Sequence, residues 1–179
     1  MAAGRIFSIG YGSHSQSRIL EQLKLSKISY VIDVRSSPFS RFQPEFSQEP
    51  LAQSLKYNDI KYVFMGELLG GRPNDNSCYT DGHVDYKKTR TKDFFLRGID
   101  RLKTAHSKGL HVCMMCSEGQ PSQCHRSKLI GEVLAEHGID VTHILPNGST
   151  KSQSEVIAEL TDGQSNMFGN QFISRKSYR

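Results

Sequence analysis

The order of segments along this chain predicts an α/β fold: a single domain with a mostly parallel sheet of about five strands, flanked by helices. Three observations carry that expectation. Short β-rich runs alternate with helical stretches over most of the length. Two of the runs, Tyr30–Val34 and Leu110–Met115, are largely apolar, as strands buried on both faces are. The 179 residues, 36% of them hydrophobic, suffice for one core without disulfide or metal staples. The domain is expected over 1–161, and 162–179 reads as a polar, basic, flexible tail.

Each element has a local reason. Arg5-Ile6-Phe7-Ser8-Ile9 predicts a first strand ending at Gly10-Tyr11-Gly12. A helix follows near Ser17–Lys24, because Ile19, Leu20 and Leu23 share one face. Tyr30–Val34 is the second strand. Pro50, Leu51 and Leu55 mark a short helix, with Pro50 suited to its first turn. Lys61–Phe64 is the third strand. Residues 66–90 form a long polar stretch rich in Gly, Asn and Asp, of a length that goes with function or mobility. Phe94, Phe95, Ile99 and Leu102 give a helix over Thr91–Ala105. Leu110–Met115 is the fourth strand. Its helix starts near Cys124, turns Leu129, Ile130, Val133 and Leu134 inward, and stops at Gly138. Ile139–Ile144 is the fifth strand, and Ser152 and Glu155 have capping-box spacing before a last helix.

Composition narrows the function classes. No apolar run approaches the ~18–20 residues that span a bilayer. The opening Met1-Ala2-Ala3-Gly4-Arg5 has no signal-like apolar block, so a cytoplasmic protein without a membrane partner is expected. The net charge of +5 favours an anionic partner, either nucleic acid or a phosphorylated nucleotide-like ligand. Of four cysteines, Cys113, Cys116 and Cys124 lie within a dozen residues, and clustered thiols in a cytosolic chain point to a site, a metal or buried packing. Oligomeric state is not legible.

Sites in such sheets lie outside the carboxyl ends of the strands. That rule gathers Gly10–His14, Asp33–Arg41, Gly66–Arg72 and Cys116–Arg126 into one place. The last segment is the richest, with two thiols, a carboxylate, an imidazole and a guanidinium running from a strand into a helix start, where backbone N–H groups favour anions and thiolates. Cys113, Cys116, Cys124 and His125 make a Cys₃His set on paper, but Cys113 and Cys116 point to opposite faces of a strand, so no structural metal is assigned. A looser site with Cys116, Cys124 and one histidine stays open. Asp33 at a strand end suits a general base, or equally an ion pair with Arg35 or Arg126. Ser40 and Arg41 suit phosphate oxygens or a capped turn. Tyr11 can stack on a base, and His14 can act as acid or base. The glycine loop after the first strand matches neither the dinucleotide fingerprint nor the P-loop pattern, so no cofactor is expected.

Several landmarks stand in order: Gly10-Tyr11-Gly12-Ser13-His14, Asp33-Val34-Arg35 with Pro38 and Ser40, Leu69-Gly70-Gly71-Arg72, Met115-Cys116-Ser117-Glu118, Cys124-His125-Arg126 and His143-Ile144. On these the chain resembles the domain-of-unknown-function family 488. The resemblance implies a compact α/β fold and a pocket lined by these motifs, and no reaction. The opening departs from the family's Gly-His-Ser, so either Tyr11 or His14 fills the histidine's place. Val31–Arg35 and a cysteine at the end of a buried strand also look like rhodanese domains, although the span from Cys116 to Arg126 is longer than their sulfur-carrying loop.

The expected function is a hydrolase acting on nucleic acid or a nucleotide, of the DNA base-excision or nucleotide-processing kind, cleaving an N-glycosidic or phosphoester bond. Glu118, Asp33, Cys116 and His125 are the expected catalytic groups. Tyr11, His14, Arg35, Ser40, Arg41, Gly70, Gly71, Arg72, Cys124 and Arg126 are the expected substrate contacts. The alternatives are rhodanese-like sulfur transfer on Cys116 and a non-catalytic nucleic-acid- or metal-binding domain.

Overall fold

A computed structural model describes residues 3–163 and 171–178. Eight strands lie at β1 Ile6–Gly10, β2 Tyr30–Asp33, β3 Lys61–Phe64, β4 Tyr79–Thr80, β5 His83–Val84, β6 Val112–Cys116, β7 Val141–Ile144 and β8 Thr150–Ser152. Seven helices lie at α1 Gln16–Leu25, α2 Gln48–Tyr57, α3 Gly66–Leu69, α4 Tyr86–Thr89, α5 Asp93–Ser107, α6 Glu132–Glu136 and α7 Gln153–Leu160. Six strands form one sheet in the order β3-β2-β6-β1-β7-β8. The five expected strands are its parallel members, and β8 adds an antiparallel edge beside β7. No described helix is long and apolar enough to cross a membrane.

Side-chain alternation divides the core into two layers. Val112, Met114 and Cys116 of β6 face one layer, built with Phe95, Ile99 and Leu102 of α5 and Val133 and Leu134 of α6. Cys113 and Met115 face the other, with Ile19 and Leu23 of α1 and Leu51 and Leu55 of α2. Leu23 and Leu55 are fully buried, each worth about 1.5–3 kcal/mol. Ser15 caps α1 by accepting from the Arg18 N–H, Ser152 and Glu155 complete the expected capping box of α7, and Gly138 takes the positive φ that follows α6.

Two regions differ from expectation. The stretch 66–90 is built from small elements: α3, the hairpin β4–β5 and α4. Asp81 and Gly82 both adopt positive φ, as a two-residue hairpin turn requires. Asp85 then caps α4 by accepting from the Lys88 N–H. The second lies in the expected tail, of which residues 164–170 and 179 fall outside the described residues. Its residues 171–178 lie along β5: Ser174 N–H donates to the Val84 carbonyl, Val84 N–H to Ser174 Oγ, and Tyr178 N–H to the Gly82 carbonyl. Phe172 packs against the core, and that burial holds the segment down.

The helix expected near Cys124 starts two residues later. Residues Arg126–Gly131 form wide π-helical turns that run into α6. Widened turns of this kind are frequent at functional sites.

Candidate active site

The carboxyl ends of β1, β2 and β6 meet at one edge. Gly10 pairs with Cys116, and the loops beyond them stay joined: Tyr11 N–H donates to the Cys116 carbonyl at 3.1 Å and Gly12 N–H to the Ser117 carbonyl at 3.0 Å. Only glycine fits at position 10, since a Cβ there would stand 1.7 Å from the Glu118 carbonyl oxygen. The edge holds a cavity of about 250 Å³. Each of the four expected segments lines it: Tyr11 from the first, Arg35 and Phe39 from the second, Gly71 and Arg72 from the third, and Cys116, Glu118, Cys124 and His125 from the fourth. A fifth wall, Ser174–Lys176 and Tyr178, comes from the segment beside the hairpin. Its only sequence signal was the basic ending.

The cavity's thiols lie where the loop after β6 turns back on itself. A short 3-10 turn at Pro121–Gln123 returns the chain so that Cys124 meets Cys116. Ser127 Oγ ties the turn by donating to the Pro121 carbonyl at 2.6 Å. The ligand atoms of Cys116, Cys124 and His125 all fall within 4.8 Å of one another, and all three residues are buried. His125 Nδ1 lies 3.5 Å from Cys124 Sγ, and its Nε2 lies 3.1 Å from the Val34 carbonyl. The Cys116 thiol is raised well above its ordinary value by its hydrogen bond to Cys124 and by burial. Burial alone would raise Cys124 too. The bond from Cys116, then Arg126 and His125, reverse this and hold Cys124 well below the ordinary range.

Arg126, expected to grip substrate, is wholly buried beneath this pair. Its Nε donates to Cys124 Sγ at 3.2 Å, Nη1 to Ser8 Oγ at 3.1 Å and Nη2 to the Glu118 carbonyl at 2.5 Å. Burial opposes its charge, and Cys124 and then Cys116 more than compensate, so its pKa rises. Behind it runs a buried chain that the sequence reading missed. Ser8 Oγ lies 2.6 Å from His143 Nδ1, and His143 Nε2 lies 2.7 Å from Gln153 Oε1. The Gln153 amide nitrogen donates to the Ser127 carbonyl, which fixes its oxygen toward His143. His143 therefore donates from Nε2 and accepts from Ser8 at Nδ1. Burial lowers its pKa to about 4, so it is neutral. Only the position of His143 in the last parallel strand hinted at this.

Asp33, expected as a base, is completely buried and does not line the cavity. Its oxygens accept from Arg35 Nε at 2.9 Å, Arg35 Nη2 at 2.7 Å, the Arg35 N–H at 3.1 Å and Tyr62 Oη at 2.7 Å. It is the ion-pair partner of Arg35, and the pair aims the guanidinium at the cavity. Tyr62 was not legible as part of this group. Tyr11 is buried, stacked on Phe46 with centroids 4.1 Å apart, and its hydroxyl accepts from Arg35 Nη1 at 3.3 Å. Phe46 covers one face of its ring and the Arg35 guanidinium stands 5.5 Å from the ring centre, which leaves little room for a base to stack. Phe39, 70% exposed at the rim, keeps that capacity.

Glu118 presents its carboxylate to the rim, where Arg175 donates to it at 3.3 Å, and only its carbonyl reaches Arg126. Arg72 is exposed, its N–H held by Ser36 Oγ and its guanidinium 5.3 Å over the Tyr178 ring. Gly70 cannot carry a side chain, because a Cβ would meet the Gly66 carbonyl and Ser36 Oγ. A Cβ at Gly71 would stand 2.8 Å from His125 Nδ1. Besides Gly70 and the buried Arg126, three more expected contacts do not line the cavity. The His14 carbonyl accepts from Gln43, Ser40 caps the turn at Gln43 and Ser47, and Arg41 is exposed on the same loop.

The fold and the site together define a parallel α/β protein with a thiol, imidazole and guanidinium centre at the floor of a cationic cavity. The family model described as Domain of unknown function DUF488 matches residues 15–133, and the chain belongs to that family. Comparison with curated proteins and with solved structures gives no match.

Proposed function

We propose that this protein is a hydrolase acting on a phosphorylated nucleotide, or on one unpaired nucleotide of a nucleic acid, drawn into the cavity. The observation that carries the reading is the cavity wall itself. Arg35, Arg72, Arg175 and Lys176 arrive from three separate segments around a space of about 250 Å³. Such a space admits one nucleotide-sized group and excludes a duplex. Guanidinium groups with nearby serine hydroxyls suit phosphate oxygens. The exposed Phe39 ring at the rim offers a face for a base. Among the described residues Glu118 is the carboxylate that lines the cavity, so it is the group to orient water or to stabilise positive charge on a sugar ring.

The test is product analysis by mass spectrometry on a panel of nucleotides and of modified single-stranded DNA. Glu118→Gln is expected to remove turnover. Arg72→Ala should raise KM about tenfold, the loss of one charge-assisted hydrogen bond, with kcat little changed. Arg41→Ala should matter only for the polynucleotide, whose binding weakens steeply with salt. Binding indifferent to salt, or full activity in Glu118→Gln, overturns the reading. Sulfur or acyl transfer on a thiol is a second reading, favoured by the two cysteines and His125 at the cavity floor. It requires Cys116→Ser or Cys124→Ser to abolish activity while Glu118→Gln keeps it.

A further inference from the structure

We infer that Cys116, Cys124 and His125 form a binding site for one thiophilic divalent cation of the zinc class, with its fourth position open to the cavity. Two thiol sulfurs and one imidazole nitrogen within 4.8 Å of one another match the donor set and compactness of a three-ligand zinc site that keeps an open position. Thiolate and imidazole donors select zinc-like ions over calcium or magnesium.

The orientation of His125 is the second, independent observation. Its Nε2 faces the Val34 carbonyl, which can only accept, so Nε2 carries a proton, and Nδ1, the nitrogen that a neutral imidazole then offers to a metal, points toward the sulfurs. Metal-ligating histidines are fixed in this way by a backbone carbonyl on the far nitrogen. Both sulfurs are also supported from behind. The Glu118 N–H donates to Cys116, and Arg126 Nε donates to Cys124 at 3.2 Å. Each sulfur keeps lone pairs for a metal. Two thiolates and a neutral imidazole balance a divalent charge, and Arg126 then balances one anionic oxygen at the fourth position, whether hydroxide or phosphate.

Space at the site points the same way. Gly71 lines the cavity beside His125, and any side chain there would crowd Nδ1 at 2.8 Å. The missing Cβ leaves that nitrogen approachable. Cys113 is excluded as a fourth ligand, since it packs in the opposite layer with α1 and α2. The site is therefore open by construction.

Chelator-treated protein, kept reduced with a phosphine, is titrated with Co²⁺ and then Zn²⁺. One equivalent of cobalt should bind with thiolate-to-cobalt charge-transfer absorption, zinc should displace it, and zinc should raise the melting temperature. Cys116→Ser, Cys124→Ser and His125→Ala should each weaken binding beyond the roughly 100-fold typical of groups that merely orient a ligand. Cys78→Ser should bind as the parent does. Gly71→Ala keeps all three ligands and should weaken binding if approach to Nδ1 matters, which covers the case of a ligand variant that does not fold. Absence of the charge-transfer band, or a band that survives in Cys124→Ser, overturns the site. Cobalt uptake without hydrolysis of any nucleotide would support this site and count against the hydrolytic reading.

Discussion

Arg126 shows how far a residue's role can lie from its apparent one. The sequence places a cation at a helix start beside two cysteines, which reads as a substrate grip. The structure buries it entirely and spends its donors on Cys124, Ser8 and the Glu118 carbonyl. Arg126→Met should therefore destabilise the fold by about 3–5 kcal/mol, because it strips a buried charge network of one partner; chemical denaturation measures it. Glu118→Gln should cost under about 1 kcal/mol, since its carboxylate meets only Arg175 at an exposed rim. The contrast explains what was legible. Motif and spacing put Cys116, Cys124, His125 and Arg35 at the strand ends, and these residues line the cavity. They did not say which guanidinium faces outward, because that depends on partners such as Ser8 and Tyr62, distant in sequence.

At the scale of elements, the parallel strands and their flanking helices followed from hydrophobic periodicity, and their ends moved by only a few residues. The hairpin β4–β5 was missed, although Asp81-Gly82 is the dipeptide that its turn demands. Strands of two residues carry too few apolar positions to show a period of two. The 171–178 segment was missed because its pairing runs through backbone groups, which a side-chain pattern does not report. Gly82 is central to both, with a φ of 79° and a carbonyl that accepts from Tyr178 N–H. Gly82→Ala should cost about 1 kcal/mol or more and raise hydrogen exchange at Ser174 and Tyr178. Unchanged exchange there would mean that the segment is held by Phe172 alone.

For the whole molecule, His143 contributes to the response to acid. An unfolded histidine titrates near 6.5, whereas burial lowers His143 to about 4. Between those values the unfolded chain binds the extra proton, so its contribution to stability is complete above about pH 6.5 and is lost as pH falls toward 4. The linked loss is on the order of 3 kcal/mol, read from melting temperatures across that range. His143→Leu should be less stable at neutral pH, with the Ser8 hydroxyl hydrogen and Gln153 Oε1 left without His143, and should show a flatter acid limb. The junction of Gly10 with Cys116 has a consequence of a different kind. The central strand pair joins the start of the chain to the strand that ends at Cys116, so the cavity floor closes only when contacts far apart in sequence have formed. On a growing chain the first three walls emerge long before their floor. The site is whole only once Gly10 has paired with Cys116.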